Sequence, residues 1–168
     1  MSPQKRFLNL FAYTGTASVY AIKGGAAKCR SVDSSNTYLA WMEANFRRNG
    51  INIDRHPRIR GDVMEWLRVD DDKYDLVFCD PPTHSVSTDR RTFNVQADHV
   101  DLLRAIHRVL KPGGSVVFSN NFRKFKLSES DLSKIYQIKE ITQKTIPRDF
   151  QRTMSIHRCW LLNSFDAE

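Results

Sequence analysis

Short apolar runs alternate with amphipathic stretches along most of the chain. Arg6 to Phe11 reads as a buried strand, Ala12 to Thr16 as a loop, and helical periodicity then continues until Gly24 and Gly25 stop it. Lys28 to Val32 is a second strand ending at Asp33, and Leu39, Met42 and Phe46 recur at i, i+3 and i+7 before Gly50 closes the helix. Arg58 to Arg60 forms a third strand before Gly61 and Asp62, with Val63 to Val69 helical, and Tyr74 to Cys79 is a fourth strand covered on both faces. After an extended loop, a helix ends near Lys111, Pro112, Gly113 and Gly114 break the chain, and Ser115 to Ser119 is a strand. Ser128 and Asp131 have capping-box-like spacing for one more helix. Two strands near Ile138 to Thr145 and Met154 to Leu162 are close enough to form an antiparallel hairpin.

Strands alternating with helices define an α/β fold, because right-handed crossovers place helices on both faces of a parallel sheet. The expected architecture is a Rossmann-like, doubly wound, mostly parallel seven-stranded sheet with a C-terminal antiparallel hairpin. At 168 residues, 40% of them hydrophobic, the chain suits one domain over residues 1–168. No apolar run approaches the ~20 residues that span a bilayer, and MSPQKRFLNL lacks an apolar signal segment, so a cytoplasmic protein is expected. Cys29, Cys79 and Cys159 show no C-x-x-C spacing and call for neither a disulfide nor a metal. The net charge of +7, concentrated in the second half, favours contact with phosphate backbones without deciding the fold.

In a sheet of this kind ligands bind outside the carboxyl ends of the strands, where strand order reverses. Gly15, after the first strand, lets backbone approach a ligand at a helix N-terminus. Asp33, at the tip of the second strand, is placed to accept from both hydroxyls of a ribose. One glycine stands where a G-x-G-x-x-G pyrophosphate loop needs three, which disfavours NAD and FAD. S-adenosylmethionine has no phosphate and presents an amino-acid end that polar groups such as Asn9 and Thr14 can meet. Asp62 is placed for an adenine amino group, a role compatible with capping the following helix. Expected cofactor contacts are Asn9, Phe11, Tyr13, Thr14, Gly15, Asp33, Ser34, Asp62, Val63 and Asp80. Asp80-Pro81-Pro82-Thr83 is a rigid loop at the fourth strand end, suited to positioning a planar acceptor.

Leu8 to Gly15, Asp33, Asp62, Asp80-Pro81-Pro82 and Leu110 to Gly114 resemble the ordered motifs of class I methyltransferases. More narrowly, Phe7 to Ser18, Asp80 to Ser85, Phe118 to Asn121 and Asp149-Phe150 through Ile156 to Leu161 resemble the last domain of the bacterial bifunctional 23S ribosomal RNA guanine methyltransferase K/L family. That resemblance implies a 7-methylguanine product in 23S ribosomal RNA. Family members also carry a preceding half with an RNA-binding module and a 2-methylguanine activity, together with a segment just upstream of strand one, so the resemblance implies that this chain is a fragment of a longer protein.

A related family methylates carbon-5 of cytosine through a cysteine just after strand five. Here that stretch is Ser119-Asn120-Asn121. A ring nitrogen already presents a lone pair, so alignment matters more than proton removal. Asp80, Pro81, Pro82 and Thr83 are therefore expected to orient the base edge, Asp80 without acting as an obligatory base. Arg90, Arg91, Asn120, Phe122, Arg123, Lys124 and Lys126 are the expected RNA contacts, since cations interleaved with aromatics suit unstacked RNA. Against this, Phe122 and Phe125 can fill core space while their basic neighbours stay solvated. His157 and Cys159 read as packing residues, and His84 as either a substrate contact or a surface residue. Methylation of an exocyclic amine and a non-catalytic binding module remain open beside the leading reading.

Overall fold

The computed structural model describes residues 4–86, 92–150 and 156–165. Strands β1 (Arg6–Leu10), β2 (Lys28–Asp33), β3 (Arg58–Arg60), β4 (Tyr74–Cys79), β7 (Leu110–Asn120), β8 (Tyr136–Glu140) and β9 (Arg158–Ser164) form one sheet in the order β3-β2-β1-β4-β7-β9-β8. All neighbours from β3 to β7 pair in parallel, and β9 runs antiparallel to both β7 and β8. The expected architecture is the observed one, including the closing antiparallel pair. Strand order reverses between β1 and β4, which makes their carboxyl ends the crevice of a doubly wound sheet.

Side-chain alternation assigns each face its helices. Leu8, Leu10, Val32, Val77, Cys79, Val116, Phe118, Trp160 and Leu162 are buried on one face, against α3 (Val63–Val69), α4 (Val95–Val109) and α5 (Glu129–Leu132). Phe7, Cys29, Leu76 and Phe78 face α1 (Thr16–Lys23), whose Ala21 is buried among them. The side chains of α2 (Asn36–Arg48) predicted to recur, Leu39, Met42 and Phe46, are its buried ones. The described residues include no helix long and apolar enough to cross a membrane.

Four local expectations are corrected. The Pro112-Gly113-Gly114 break lies within β7: Tyr74 pairs with Leu110 and Leu76 with Ser115, so residues 111–114 bulge out of the ladder, with Gly113 at φ 67°. The strand expected from Ile138 to Thr145 is instead β8 at Tyr136–Glu140, and Thr142–Thr145 coil into a turn of helix, α6. There the Thr142 hydroxyl receives the Cys159 N–H at 3.0 Å in place of a backbone acceptor, ending the ladder. Ser128 makes no side-chain cap, and its N–H donates to His99 Nε2 at 3.0 Å. The stretch read as an extended loop contains a short antiparallel hairpin, β5 (His84–Val86) with β6 (Thr92–Asn94).

Candidate functional site

Register brings the strand ends together. Leu10 lies opposite Val32 on β2 and Cys79 on β4, so the residues that follow, Phe11, Asp33 and Asp80, meet at the carboxyl edge. They line a cleft of about 630 Å³ together with Tyr13, Ser34, Asp62, Val63, Pro81 and Pro82. A smaller cavity of about 330 Å³ adjoins it, sharing Phe11, Tyr13 and Asp80 and adding Asn9, Thr14 and Thr16.

The turn after β1 is strained in a way that serves the cleft. Phe11 and Tyr13, neither of them glycine, sit at φ 54° and 49°, a conformation that costs of order 1–3 kcal/mol each and persists only where neighbours enforce it. The enforcing contact at Tyr13 is its N–H, which donates to Asp33 Oδ2 at 2.8 Å, while Ser35 N–H donates to Asp33 Oδ1 at 2.9 Å. Both carboxylate oxygens of Asp33 are thus fixed by backbone yet retain lone pairs for further donors. Gly15 follows at φ 75°, and a Cβ there would meet Met42 Cγ at 2.3 Å. Only glycine fits both the backbone angle and the packing of α2 against this turn.

Asn9 is buried and donates through Nδ2 to Ser18 Oγ at 2.8 Å, with Ser18 and Ser31 hydroxyls 2.8 Å apart behind it. Its Oδ1 is buried with no hydrogen-bond partner. A buried acceptor without a donor is costly, and this one borders the smaller cavity, where it suits a cationic amine. Asp62 caps α3, its Oδ1 accepting from Met64 N–H at 2.8 Å and Glu65 N–H at 3.0 Å. The helix-cap role anticipated for Asp62 is therefore realised at the wall of the cleft.

Asp80 stands where β4 ends. Ser119 Oγ donates to its Oδ1 at 2.7 Å, fixing the loop to β7. One edge of the residue is open to solvent, but the protein crowding its carboxyl withholds water from the charged form and raises its pKa, opposed by the Ser119 hydrogen bond and by His157. Pro81 is buried and Pro82 exposed; Thr83 Oγ1 donates to Asn121 Oδ1 at 3.1 Å, a second tie between the loop and the segment after β7. Burial pushes the Cys79 thiol well above its usual range and raises Cys159 to about 11, so neither thiol near Asp80 is a poised nucleophile.

Every expected cofactor residue except Gly15 lines one of the two cavities, and Gly15 sets the turn that carries the others. Ser35, Tyr38, Gly61, Ser85 and Asn121 also line the cleft and were missed. Tyr38 carried a signal only in retrospect: it is an aromatic on the polar face of α2, its ring 4.5 Å from that of Tyr13. The expected RNA contacts divide. Arg123, Lys124 and Lys126 are exposed. Asn120 is buried, its Oδ1 accepting from Phe122 N–H at 3.1 Å, and Phe122 packs on the core beside buried Phe125. Phe122 is half-buried, and Asn120 Nδ2 is buried with no hydrogen-bond partner. Arg90 and Arg91 lie outside the described residues.

Asp33, the buried Oδ1 of Asn9 and the Asp80-Pro81-Pro82 loop thus meet at one topological switch point, in adjoining cavities. The model of the S-adenosylmethionine-dependent methyltransferase family matches residues 2–126, and the chain belongs to that family. It is 48% identical over 161 residues to the ribosomal RNA large subunit methyltransferase K/L of Syntrophotalea carbinolica, covering 95% of this chain and 22% of that protein. The protein of the same description in Pseudomonas aeruginosa is 52% identical over 157 residues, covering 93% and 21%. The chain thus spans about a fifth of the length of these curated relatives. Among solved structures, a methyltransferase in complex with S-adenosylhomocysteine aligns with TM-score 0.77 at 23% identity, over 96% of this chain and 45% of that one. A ribosomal protein L11 methylase from Lactobacillus delbrueckii aligns with TM-score 0.71 at 19% identity, over 99% and 72%. The cofactor is S-adenosylmethionine; Asn9 and Thr14 border the smaller cavity, and Asp33, Asp62 and Val63 line the larger cleft.

Proposed function

We propose that this domain, 1–168, methylates a guanine ring nitrogen of 23S ribosomal RNA, forming 7-methylguanine. The observation that carries the reading is the Asp80-Pro81-Pro82-Thr83 loop, tied at both ends to β7 and the residue after it by Ser119 and Asn121 and forming one wall of the cofactor cleft. Bound in the cleft, S-adenosylmethionine supplies an electrophilic methyl group that an acceptor lone pair takes as the carbon–sulfur bond breaks. The protein's part is then to hold the acceptor in line, since proximity and orientation can supply a large share of the rate enhancement of a two-substrate displacement. Pro81 and Pro82 restrict the loop, and the Asp80 carboxylate, turned by Ser119, accepts from a base-edge donor. Neither deprotonation nor a covalent intermediate is needed, in keeping with the elevated thiol pKa values at Cys79 and Cys159. The RNA identity is supported by the relatives' description and by the exposed Arg123, Lys124 and Lys126 after β7. A base reaches such a cleft only once drawn out of its stack.

The test is transfer of labelled methyl from S-adenosylmethionine to unmodified 23S RNA, comparing the protein with Asp80→Ala and locating the product by nuclease digestion and mass spectrometry. Label on a guanine ring nitrogen, lost in the variant, is the expected result. Label on an exocyclic amine would overturn the ring-nitrogen assignment and leave the RNA one. Cofactor binding without transfer to RNA would overturn the RNA assignment.

A further inference from the structure

A second cleft, of about 570 Å³, opens between Arg123 on one side and Glu140, Thr142, Gln143, Lys144 and Arg158 on the other. It shares no lining residue with the cofactor cleft. It is nevertheless close to the acceptor loop: Arg158 pairs across the ladder with Asn120, and the next pair, Cys159 with Ser119, includes the hydroxyl that holds Asp80. From β4, which ends next to Asp80, to β9 is two strand spacings, or about 10 Å.

The charges of this cleft do not cancel. Arg158 is fully engaged: Nε and Nη2 donate to the Glu140 carboxylate at 3.2 and 2.9 Å, and Nη1 donates to the Phe125 carbonyl at 2.7 Å. Its guanidinium also lies over the Trp160 ring, 4.8 Å from the centroid. This arginine neutralises Glu140 and clamps the segment after β7 against β8, giving the cleft a fixed wall. The Arg123 and Lys144 side chains are exposed, and neither makes a hydrogen bond or ion pair among the described residues. Two exposed cations lining one cleft with the polar Gln143 suit a phosphodiester: a planar fork and a point charge are the two common phosphate-binding groups.

We propose that this cleft is a phosphate site that grips the RNA backbone beside the nucleotide being methylated. The inference rests on the RNA reading above and adds to it a place for the flanking strand. Backbone contact at one fixed site and base contact at the Asp80 loop would together set which face of the nucleotide enters the cofactor cleft, since phosphate contacts fix register while base contacts carry selectivity.

The experiment measures affinity for a guanine-containing single-stranded RNA oligonucleotide over a series of salt concentrations, for the protein, for Arg123→Ala with Lys144→Ala, and for Lys144→Arg. Cofactor affinity checks that each variant is folded, as both side chains are exposed and neither lines that cleft. The double variant is expected to bind about tenfold more weakly at low salt, with the slope of log affinity against log salt shallower by about 0.7 for each phosphate the protein no longer neutralises. Lys144→Arg should keep the parent slope. Unchanged affinity and slope in the double variant overturn the phosphate site while leaving the RNA reading intact. Absence of RNA binding by the parent, with cofactor bound normally, overturns both.

Discussion

Asp80 holds its charge against its surroundings. Its carboxyl is held by one hydroxyl and crowded by protein, and the net effect raises its pKa above the ordinary value of 3.8. A carboxyl whose folded pKa exceeds its unfolded one favours folding fully only below the unfolded value, and that contribution is lost as pH rises through the folded value. Asp80 therefore costs stability at neutral pH and is retained for what its charge does. Asp80→Asn keeps the shape and removes the charge, so it should raise the melting temperature at neutral pH while leaving it nearly unchanged near pH 3. The same variant should lower methyl transfer by about a hundredfold, the usual consequence of misplacing an acceptor by about 1 Å. Thermal melts from pH 3 to 8 beside initial rates give both readings. A melting temperature lowered at every pH would show that the carboxylate contributes to stability. In the parent, activity should rise through the elevated Asp80 pKa and stay flat above it, since no general base is required.

At the scale of elements, the strand–turn–helix from Arg6 to Lys23 concentrates the design of the cofactor site. Gly15→Ala would place a Cβ 2.3 Å from Met42 Cγ in a backbone angle of φ 75°. The left-handed angle costs about 1–2 kcal/mol and the overpacking about 1–3 kcal/mol, so destabilisation of about 2–5 kcal/mol is expected in denaturant titration. Cofactor affinity should fall with it, because the turn also aims Tyr13 N–H at Asp33; parent-like stability would refute the packing account. This turn was legible because glycine after a strand and an aspartate at the next strand tip are local signals. The bulge at residues 111–114 was read as a boundary because Pro-Gly-Gly breaks any element, and only pairing with Tyr74 on one side and Leu76 on the other shows the strand running through it. The exchange of β8 for a helical turn at Thr142 depends on a side-chain hydroxyl replacing a ladder acceptor. The burial of Asn120 and the packing of Phe122 were not legible, because a polar and an aromatic residue after a strand look alike whether buried or exposed.

At the scale of the molecule, several of the ion pairs among the described residues gather at the amino edge of the sheet. At the amino edge, Arg6 pairs with Asp72, Arg30 with Asp70 and Asp72, and Lys111 with Asp75, so acids after α3 and at the start of β4 pair with the cations nearest them. Part of the net charge of +7 is thereby left at the carboxyl edge, where Arg123, Lys124 and Lys126 are exposed, an arrangement that steers a polyanion to the side holding the cofactor. The same pairing sets the response to acid. The hydrogen bond from Arg6 lowers the pKa of Asp72, and at Asp75 the Arg6 backbone N–H and the Lys111 ammonium outweigh burial to the same end. Groups depressed below the ordinary 3.8 contribute stability that is complete above that value and drains away as pH falls through their folded values. Unfolding should therefore set in below about pH 4, and Asp72→Asn should be less stable than the parent at pH 7 and converge with it in acid. Denaturant midpoints at pH 7, 4 and 3 measure this directly. A constant gap between the two proteins would mean that packing, and not the ion pair, accounts for the difference. At pH 7 methyl transfer by Asp72→Asn should match the parent per folded molecule, because the amino edge stabilises the sheet from the side opposite the chemistry.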